Sequence, residues 1–227
     1  MKYLIFLLAV MSIYKVNAYY SQIGQDKYLN ERFFHNKKNG VFIDIGAYDG
    51  LTHSNTYFFE KELGWTGICF EPIPRLYEKL KHNRTCKCIN ACVANRPGPV
   101  DFLFVDGVPE MLSGMLQTYD VRQFERVKYE VAHDGGTYYA IKVPAVTLNE
   151  VLAEACITYV DFLSLDTEGS ELMILQSINF DKITIYAISV ENNFEDPKIR
   201  MLLESKGFRH VTRLAKQDDV YINTHCE

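Results

Sequence analysis

The sequence predicts an α/β protein with a mostly parallel sheet that is covered by helices on both faces. Apolar runs typical of buried strands alternate with segments of helical spacing along most of the chain, which is the pattern of βα units in a parallel sheet. The last two apolar runs, residues 208–215 and 218–223, flank a short polar turn and predict an antiparallel strand pair at one sheet edge. A length of 227 residues with 48% hydrophobic content is enough for one core.

The alternation is regular from residue 21 to residue 94. A helix is predicted within residues 21–34. Strands are then predicted over residues 41–47, 66–72 and 87–94, and helices over residues 54–64 and 75–83. Ser54 is expected to cap the first of these two helices and Gly64 to end it.

Residues 100–146 interrupt this pattern. Strands are predicted at residues 100–106 and 137–146, with a flexible-looking stretch at 112–115 and a helix at 120–131 between them. No composition break, linker or repeat accompanies the interruption, so it is expected to be an insertion within one domain.

The alternation resumes at Thr147 and Glu150, which have the spacing of a capping box. Asp196 is expected to cap the last helix, with Pro197 in its first turn and Gly207 at its end. The remaining elements are strands at residues 159–166 and 183–191 and helices at residues 170–178 and 196–207.

The first 18 residues differ from the rest of the chain. Lys2 is followed by twelve apolar or small residues, then by Lys15 and the small-residue end Val16–Ala18. This is typical of a secretory signal peptide, and the apolar stretch is shorter than the ~20 residues that span a bilayer. We therefore expect a signal peptide at 1–18, one domain at 19–227, and a location in the secretory pathway or outside the cell. An uncleaved membrane anchor and a buried first segment are the alternatives.

Charge and cysteine content narrow the range of partners. A formal net charge of −5 without a basic cluster argues against nucleic acid as a partner. Six cysteines in a secreted chain permit disulfides, and a local bridge among Cys86, Cys88 and Cys92 is compatible with their spacing. Cys69 is expected to pack as a small hydrophobic residue in its strand. The cysteines lack the second Cys/His pair of a zinc site, and no metal is included in the predicted site.

Polar residues and glycines follow the first buried strand, in the sequence VFIDIGAYDG (41–50). Asp44, Gly46 and Gly50 form a D-x-G-x-x-x-G motif at a strand-to-helix turn. Tyr48 occupies the place of the middle glycine in a dinucleotide-binding turn, which argues against close approach of a pyrophosphate. Asp44 and Asp49 suit a cationic amino acid group better than a phosphate. The alternative is an ordinary tight βα turn.

The second strand ends at Glu71, 21 residues after Gly50. An acid at this distance and place accepts hydrogen bonds from ribose hydroxyls. Two neighbouring strand ends thus both carry residues suited to a ligand, an arrangement that is hard to obtain by chance. Together they favour a binding site for an adenosyl nucleoside.

Acidic side chains also follow the strand at residues 159–166. Asp166 and Glu168 lie where this strand leaves the sheet, and they could orient an acceptor hydroxyl, remove its proton or hold a divalent ion. Glu191 and Asn192, at the end of the next strand, could join them. Glu171 has the place of an acid that stabilises a helix start.

His53 has the best position for a base among the six histidines, because it follows the glycine turn. The other five are expected to be solvated or structurally satisfied. The chain has no G-x-S-x-G motif, which argues against hydrolysis by a serine nucleophile.

Five separated motifs occur in an order that resembles the FkbM family of methyltransferases, in particular the branch shared with the Star-type membrane-trafficking proteins of animals. The resemblance covers roughly residues 20–195. The motifs are SQIGQD (21–26), VFIDIGAYDG with HSNT (53–56), GWTGICFEPIP (64–74), INACVA (89–94) and VDFLSLDTEGSE (160–171).

The resemblance implies a Rossmann-like class I methyltransferase fold that uses S-adenosylmethionine and transfers its methyl group to an oxygen. It assigns Asp44, Gly46 and Gly50 to the methionine side of the cofactor and Glu71 to the ribose. The family's D-x-E-G segment, which faces cofactor and acceptor, would be Asp166, Glu168 and Gly169, and its leading motif at the rim would be Gln22, Gln25 and Asp26. Residues 106–135 match no family pattern, and we expect them to determine acceptor specificity.

The function expected from these features is S-adenosylmethionine-dependent O-methylation of a small-molecule or glycan-like acceptor. Asp166 or His53 would act as the base. The alternative is a non-catalytic Star-like binding or trafficking protein on the same fold. A signal peptide favours this alternative, because the cofactor is made in the cytosol. A nicotinamide-dependent oxidoreductase is a third possibility, which Tyr48 disfavours.

Overall fold

The computed structural model describes residues 19–226. The predicted signal peptide lies outside the described residues. Within residues 19–226, no helix combines the length and the apolar character needed to cross a bilayer.

The described chain contains eleven strands, two of which are only two residues long. They are β1 (Val41–Ile45), β2 (Thr66–Phe70), β3 (Lys87–Ile89), β4 (Cys92–Val93), β5 (Gly98–Asp106), β6 (Gly114–Met115), β7 (Thr137–Val146), β8 (Tyr159–Leu165), β9 (Thr184–Glu191), β10 (Phe208–Leu214) and β11 (Asp218–Asn223).

Seven helices connect or flank these strands within the described residues, and the first continues as a π-helical turn at Asn30–Phe34. They are α1 (Gln25–Leu29), α2 (Tyr57–Leu63), α3 (Pro74–Asn83), α4 (Val121–Asp134), α5 (Leu148–Glu154), α6 (Glu171–Ser177) and α7 (Pro197–Ser205); a 3₁₀ turn lies at Glu110–Leu112.

The main sheet has seven strands in the order β10-β11-β9-β8-β1-β2-β3. From β9 to β3 all neighbouring strands are parallel. Strand β11 is inserted between β9 and β10 and is antiparallel to both. The predicted α/β fold with its mostly parallel sheet and antiparallel carboxyl-terminal pair is therefore confirmed.

Helices cover both faces of this sheet, as predicted. On one face Leu152 of α5, Ile174 of α6 and Leu203 of α7 are buried against Ile43 and other strand residues. The opposite face packs against α1, α2 and α3, where the buried residues include Leu29, Phe58, Phe59 and Leu80. Alternate residues of the strands supply the two cores, because successive side chains point to opposite faces.

A second sheet, which the sequence did not predict, has the order β4-β7-β5-β6. The single strand predicted at residues 87–94 is wrong, because the chain changes sheet within it. Ile89 pairs with β2 in the main sheet, whereas Cys92 pairs with β7 in the second. Between them the side-chain amide of Asn90 donates hydrogen bonds to the carbonyl oxygens of Glu71 (2.8 Å) and Pro72 (3.1 Å), which fixes the turn.

Local signals place several helix ends correctly. Ser54 Oγ accepts hydrogen bonds from the backbone N–H groups before and at the start of α2, which begins three residues later than predicted. Gly64 ends α2 with a φ of 69°. Thr147 caps α5, and Asp196 accepts the N–H of Lys198 at the start of α7 (2.9 Å).

Candidate functional site

A cavity lies at the carboxyl ends of β1, β2 and β8, the edge at which open α/β sheets bind ligands. Its polar wall is formed by Tyr48, Glu71, Glu110, Asp166, Glu168 and Glu191. Its apolar wall includes Ile73, Leu76, Phe102, Leu112 and Met115. The second sheet and the segment after β5 thus close the side of the cavity that the main sheet leaves open.

Gly46 allows the ends of β1 and β8 to meet at the cavity. Its φ is 89°, and a Cβ atom there would lie 1.7 Å from the carbonyl oxygen of Asp166. The backbone N–H of Asp166 donates a hydrogen bond to the carbonyl oxygen of Ile45 at 3.1 Å. A side chain at position 46 would therefore push apart the two strand ends that form the cavity floor.

Tyr48 joins three parts of the cavity wall. Its backbone has a φ of 53°, and its N–H donates to the carboxylate of Glu71 at 3.1 Å. Its hydroxyl donates to Glu110 at 2.5 Å. The bulky side chain of Tyr48, which in the sequence disfavours pyrophosphate binding, therefore forms part of the cavity wall.

Glu71 is almost completely buried at the end of β2. Its carboxylate accepts the backbone N–H groups of Tyr48 and of Ile73 (2.8 Å). Burial raises the pKa of Glu71 to about 8; the two N–H donors oppose this shift, and the nearby Glu110 adds to it. Hydroxyl donors of a ligand would stabilise the charged form of this carboxylate.

Asp44 lies beneath the cavity and is not one of its lining residues. It is only 4% exposed and accepts a hydrogen bond from Thr56 Oγ1 (2.6 Å). The guanidinium of Arg84 lies 3.8 Å from it. Burial raises the pKa of Asp44, and the charge of Arg84 opposes this rise. Asp44 thus contributes to a buried ion pair under the turn.

Arg84 holds this turn in place. Its fully buried guanidinium donates to the side chains of Thr56 (2.9 Å) and Ser54 (3.3 Å) and to the carbonyl oxygen of Gly50 (3.3 Å). It also forms an ion pair with Glu60. The sequence motifs did not single out this residue, since no spacing rule connects α3 to the turn after β1.

Three other predicted residues are not brought to the cavity. Asp49 accepts the N–H groups of Leu51 (2.9 Å) and Thr52 (2.7 Å) in the turn after β1. Gly50 packs against Arg84, and His53 is exposed. None of the three predicted residues lines the cavity, and their cofactor or catalytic roles stay predictions.

Three acids meet in the wall of the cavity. Asp166, Glu168 and Glu191 can each offer a carboxylate oxygen such that the three oxygens lie within 4.8 Å of one another. Burial, followed by repulsion from neighbouring carboxylates, raises the pKa of each group. Gln123 donates to Glu168, and Asn193 donates to Glu191 at 2.7 Å. The arrangement can accept a proton or hold a cation, a divalent metal included.

Glu171 is separate from this group of acids in its bonding. One of its oxygens accepts the backbone N–H and the hydroxyl of Thr167, both at 2.8 Å. The N–H of Gly169 donates to both oxygens. This is the helix-start role expected from the sequence.

A second cavity adjoins the first and shares Glu168, Glu191 and Asn193 with it. Its walls are the start of α4, the exposed side of α6 and the loop between β9 and α7. The other lining residues include Arg122, Gln123, Met173, Gln176 and Phe194. The guanidinium of Arg122 lies 4.0 Å from the ring centre of Phe194.

The insertion between β5 and β7 supplies wall to both cavities. Residues 110–113 line the first cavity, and residues 118–123 contribute to the second. Of the leading motif, Gln22 lines the first cavity, whereas Gln25 donates to Asp218 at 2.9 Å. Asp26 is buried, and its carboxylate accepts hydrogen bonds from the hydroxyl of Ser21 and the backbone N–H of Tyr20.

The chain matches a protein-family model and is similar to several solved structures. The Methyltransferase FkbM domain model matches residues 44–210. Among solved structures, the chain is similar to the methyltransferase FkbM from Methylobacillus flagellatus KT at 13% identity and a TM-score of 0.46, covering 81% of this chain and 43% of that one.

Two further structures are similar at lower scores. A protein of the NADB-Rossmann superfamily from Streptococcus agalactiae has 12% identity and a TM-score of 0.44, with coverage of 92% of this chain and 70% of that one. The fibrillarin pre-rRNA processing protein from Methanococcus jannaschii has 12% identity and a TM-score of 0.40, with coverage of 82% and 67%.

This chain spans less than half the length of the Methylobacillus protein. A search of curated proteins found no match. The assignment rests on the family model, which covers most of the chain, including Glu71, Asp166 and Glu168. The protein belongs to the FkbM methyltransferase family.

Proposed function

We propose that the protein is an S-adenosylmethionine-dependent O-methyltransferase that acts on a hydroxyl of a small-molecule or glycan-like acceptor. The observation that carries this proposal is the junction of two cavities at Glu168 and Glu191. Two substrates that bind on either side of such a junction are held in reach of each other, which lowers the entropic part of the barrier.

The first cavity fits the cofactor by the chemistry of its side chains. Glu71 would hold the ribose hydroxyls, and Ile73 and Leu76 would contact the adenine ring. S-Adenosylmethionine supplies a methyl group on a positively charged sulfur. Asp166 and Glu191 line the same cavity, and a positively charged sulfur beside them would favour the charged forms of their carboxyl groups.

The second cavity suits an acceptor with several hydroxyl groups. Phe194 offers a partly exposed ring against which C–H groups can pack, and Gln176 and Asn193 offer amide donors and acceptors. Glu168 lies where the two cavities meet and would orient the reacting hydroxyl.

Asp166 would take the proton of that hydroxyl. A carboxyl group whose pKa is raised by burial is a stronger base at neutral pH than an exposed one. His53 lies outside both cavities, so the geometry favours Asp166 of the two candidate bases.

Calorimetric titration with S-adenosylhomocysteine tests the donor site. We expect binding by the wild type, and a dissociation constant at least 10-fold higher for Glu71→Ala, because the ribose loses its acceptor. Glu78→Ala, at an exposed acid on α3, is the matched control and should bind like the wild type. Absence of binding by the wild type, or equal binding by Glu71→Ala, would contradict the proposal.

The alternative is a Star-like binding or trafficking protein on the same fold, located in the secretory pathway. It is favoured by the signal peptide predicted at residues 1–18, since a secreted chain would need imported cofactor. Binding of S-adenosylhomocysteine without transfer of labelled methyl to any member of a monosaccharide and polyol panel would support this alternative.

A further inference from the structure

Three cysteines lie together at β2 and the start of β3. Cys69 of β2 is opposite Cys88 of β3 in the parallel register, and Cys86 is two residues earlier and on the same face. The Sγ atoms of Cys69 and Cys86 are 3.5 Å apart. The thiol of Cys88 instead donates to the carbonyl oxygen of Cys86 at 3.6 Å. All three are free thiols in the structure.

We propose that Cys69 and Cys86 form a structural disulfide when the chain folds in an oxidising compartment. Their sulfur atoms are already in contact at 3.5 Å, and formation of the bond would bring them to about 2.05 Å. The signal peptide predicted at residues 1–18 would deliver the chain to such a compartment.

Cys92, Cys156 and Cys226 lie away from this pair. Cys92 packs in a different core cluster, with Phe102 and Val143 of the second sheet. Cys156 is an exposed residue after α5, and Cys226 follows β11. The proposed bridge differs from the local bridge among Cys86, Cys88 and Cys92 that the spacing allows, because it joins Cys86 to the buried Cys69.

The reaction is thiol–disulfide exchange with a glutathione-type disulfide. The thiolate of Cys86 attacks one sulfur of glutathione disulfide and releases one glutathione. The thiolate of Cys69 then attacks the Cys86 sulfur of the mixed disulfide and releases the second. The protein loses two electrons and two thiol protons, and glutathione disulfide is reduced to two glutathione molecules.

Burial protects the finished bond. Burial raises the pKa of the Cys69 thiol, and the contact with Cys69 raises that of Cys86, so thiolates are scarce in the folded protein. Exchange therefore takes place on the folding chain. The closed loop contains α3 together with Glu71 and Leu76, both of which line the first cavity.

Peptide mapping of the full-length chain tests the proposal. The chain is refolded from denaturant in a buffer of glutathione and glutathione disulfide, alkylated with iodoacetamide and digested with trypsin. Cleavage after Arg84 and Lys87 separates Cys86, in the peptide 85–87, from Cys88. We expect this peptide linked to the peptide 62–75, which carries Cys69. Alkylation of both cysteines, or linkage of 85–87 to another peptide, would overturn the proposal.

Thermal melting with two variants gives an independent measurement. A phosphine reductant should lower the melting temperature of the oxidised wild type by about 5–10 °C. Cys88→Ser is the matched control and should show the same shift, whereas Cys86→Ser should show none. If reduction lowers the melting temperature of Cys86→Ser but not that of Cys88→Ser, the bridge involves Cys88 and the proposed pairing is overturned. If Cys86→Ser fails to fold, the peptide map of the wild type decides.

Discussion

The hydroxyl of Tyr48 donates a 2.5 Å hydrogen bond to Glu110, which joins the turn after β1 to the insertion after β5. The carboxylate of Glu110 also pairs with Arg75 at the start of α3, and Arg75 in turn pairs with Asp106 at 2.8 Å. Three segments that are far apart in the sequence are therefore fixed to one another at the wall of the first cavity.

We expect Tyr48→Phe to weaken binding of S-adenosylhomocysteine about 10-fold. The variant keeps the ring but removes a hydrogen bond to a charged group, which is worth roughly 1.5–3 kcal/mol. Titration calorimetry measures the effect. Tyr129→Phe, at a tyrosine that is 70% exposed on α4, is the control and should bind like the wild type. Unchanged binding by Tyr48→Phe would show that the contact with Glu110 does not shape the cavity.

Gly46→Ala is expected to destabilise the fold by more than about 4 kcal/mol, measured by urea denaturation. The new Cβ would overlap the carbonyl oxygen of Asp166. Gly24→Ala is the matched control, because Gly24 has a φ of 88° and nothing within 4 Å of the added atom. The free energy of unfolding of Gly24→Ala should fall by only roughly 1–2 kcal/mol, which is the cost of a left-handed backbone conformation for alanine. Equal losses in the two variants would mean that backbone strain, rather than contact with Asp166, explains the glycine.

Arg84→Met should cost about 3–5 kcal/mol in the free energy of unfolding. It leaves the buried carboxylates of Asp44 and Glu60 without their cation, and an unpaired buried charge is strongly destabilising. Urea denaturation again gives the measurement, with the exposed Arg96→Met as control. A loss below about 1 kcal/mol would indicate that the ion pairs are not needed for stability.

The pH dependence of stability should reveal Glu71. Its folded pKa, about 8, is raised above the ordinary value of 4.5, so its contribution is fully present below pH 4.5 and is lost as the pH rises toward 8. We expect Glu71→Gln to gain stability over the wild type by up to about 1.4 kcal/mol per pH unit within this window. Denaturation of the ligand-free proteins between pH 5 and pH 8 measures the difference. A constant difference across these pH values would contradict the raised pKa.

Asp166→Asn should reduce methyl transfer about 100-fold or more, because an amide cannot accept the proton of the acceptor hydroxyl. Transfer of labelled methyl to the best acceptor in a monosaccharide and polyol panel gives the rate. His53→Asn should stay within about two-fold of the wild type, since His53 lines neither cavity. A large loss in His53→Asn with a small one in Asp166→Asn would reverse the assignment of the base.

Local and periodic signals predicted most of the main sheet and its helices. Strand ends such as Glu71 and caps such as Thr147 and Asp196 depend on residues near in sequence, so short-range rules find them. The carboxyl ends of parallel strands share one edge, which is why the sequence alone could place Glu71 and Asp166 at the same site.

Features that depend on long-range packing were missed. The pairing of Asp44 with Arg84 was not predicted, because the two residues are 40 positions apart and no periodicity connects them. Glu110 lies in an insertion without a recognised motif, and its place depends on Tyr48 and Arg75. The change of sheet at Asn90 follows from side-chain hydrogen bonds to another loop, which an apolar run cannot reveal.

One segment, residues 110–123, forms wall in both cavities. Under the proposed function, donor affinity and acceptor preference therefore cannot be adjusted independently through it. Substitutions there that admit a new acceptor are expected to alter how tightly the methyl donor is held as well. Gln176 of α6 and Phe194 border the second cavity alone, whereas Met173 also packs against the apolar cluster that includes Ile73 and Leu76 of the first cavity. Under the proposed function, redesign of the acceptor range should therefore begin at Gln176 and Phe194.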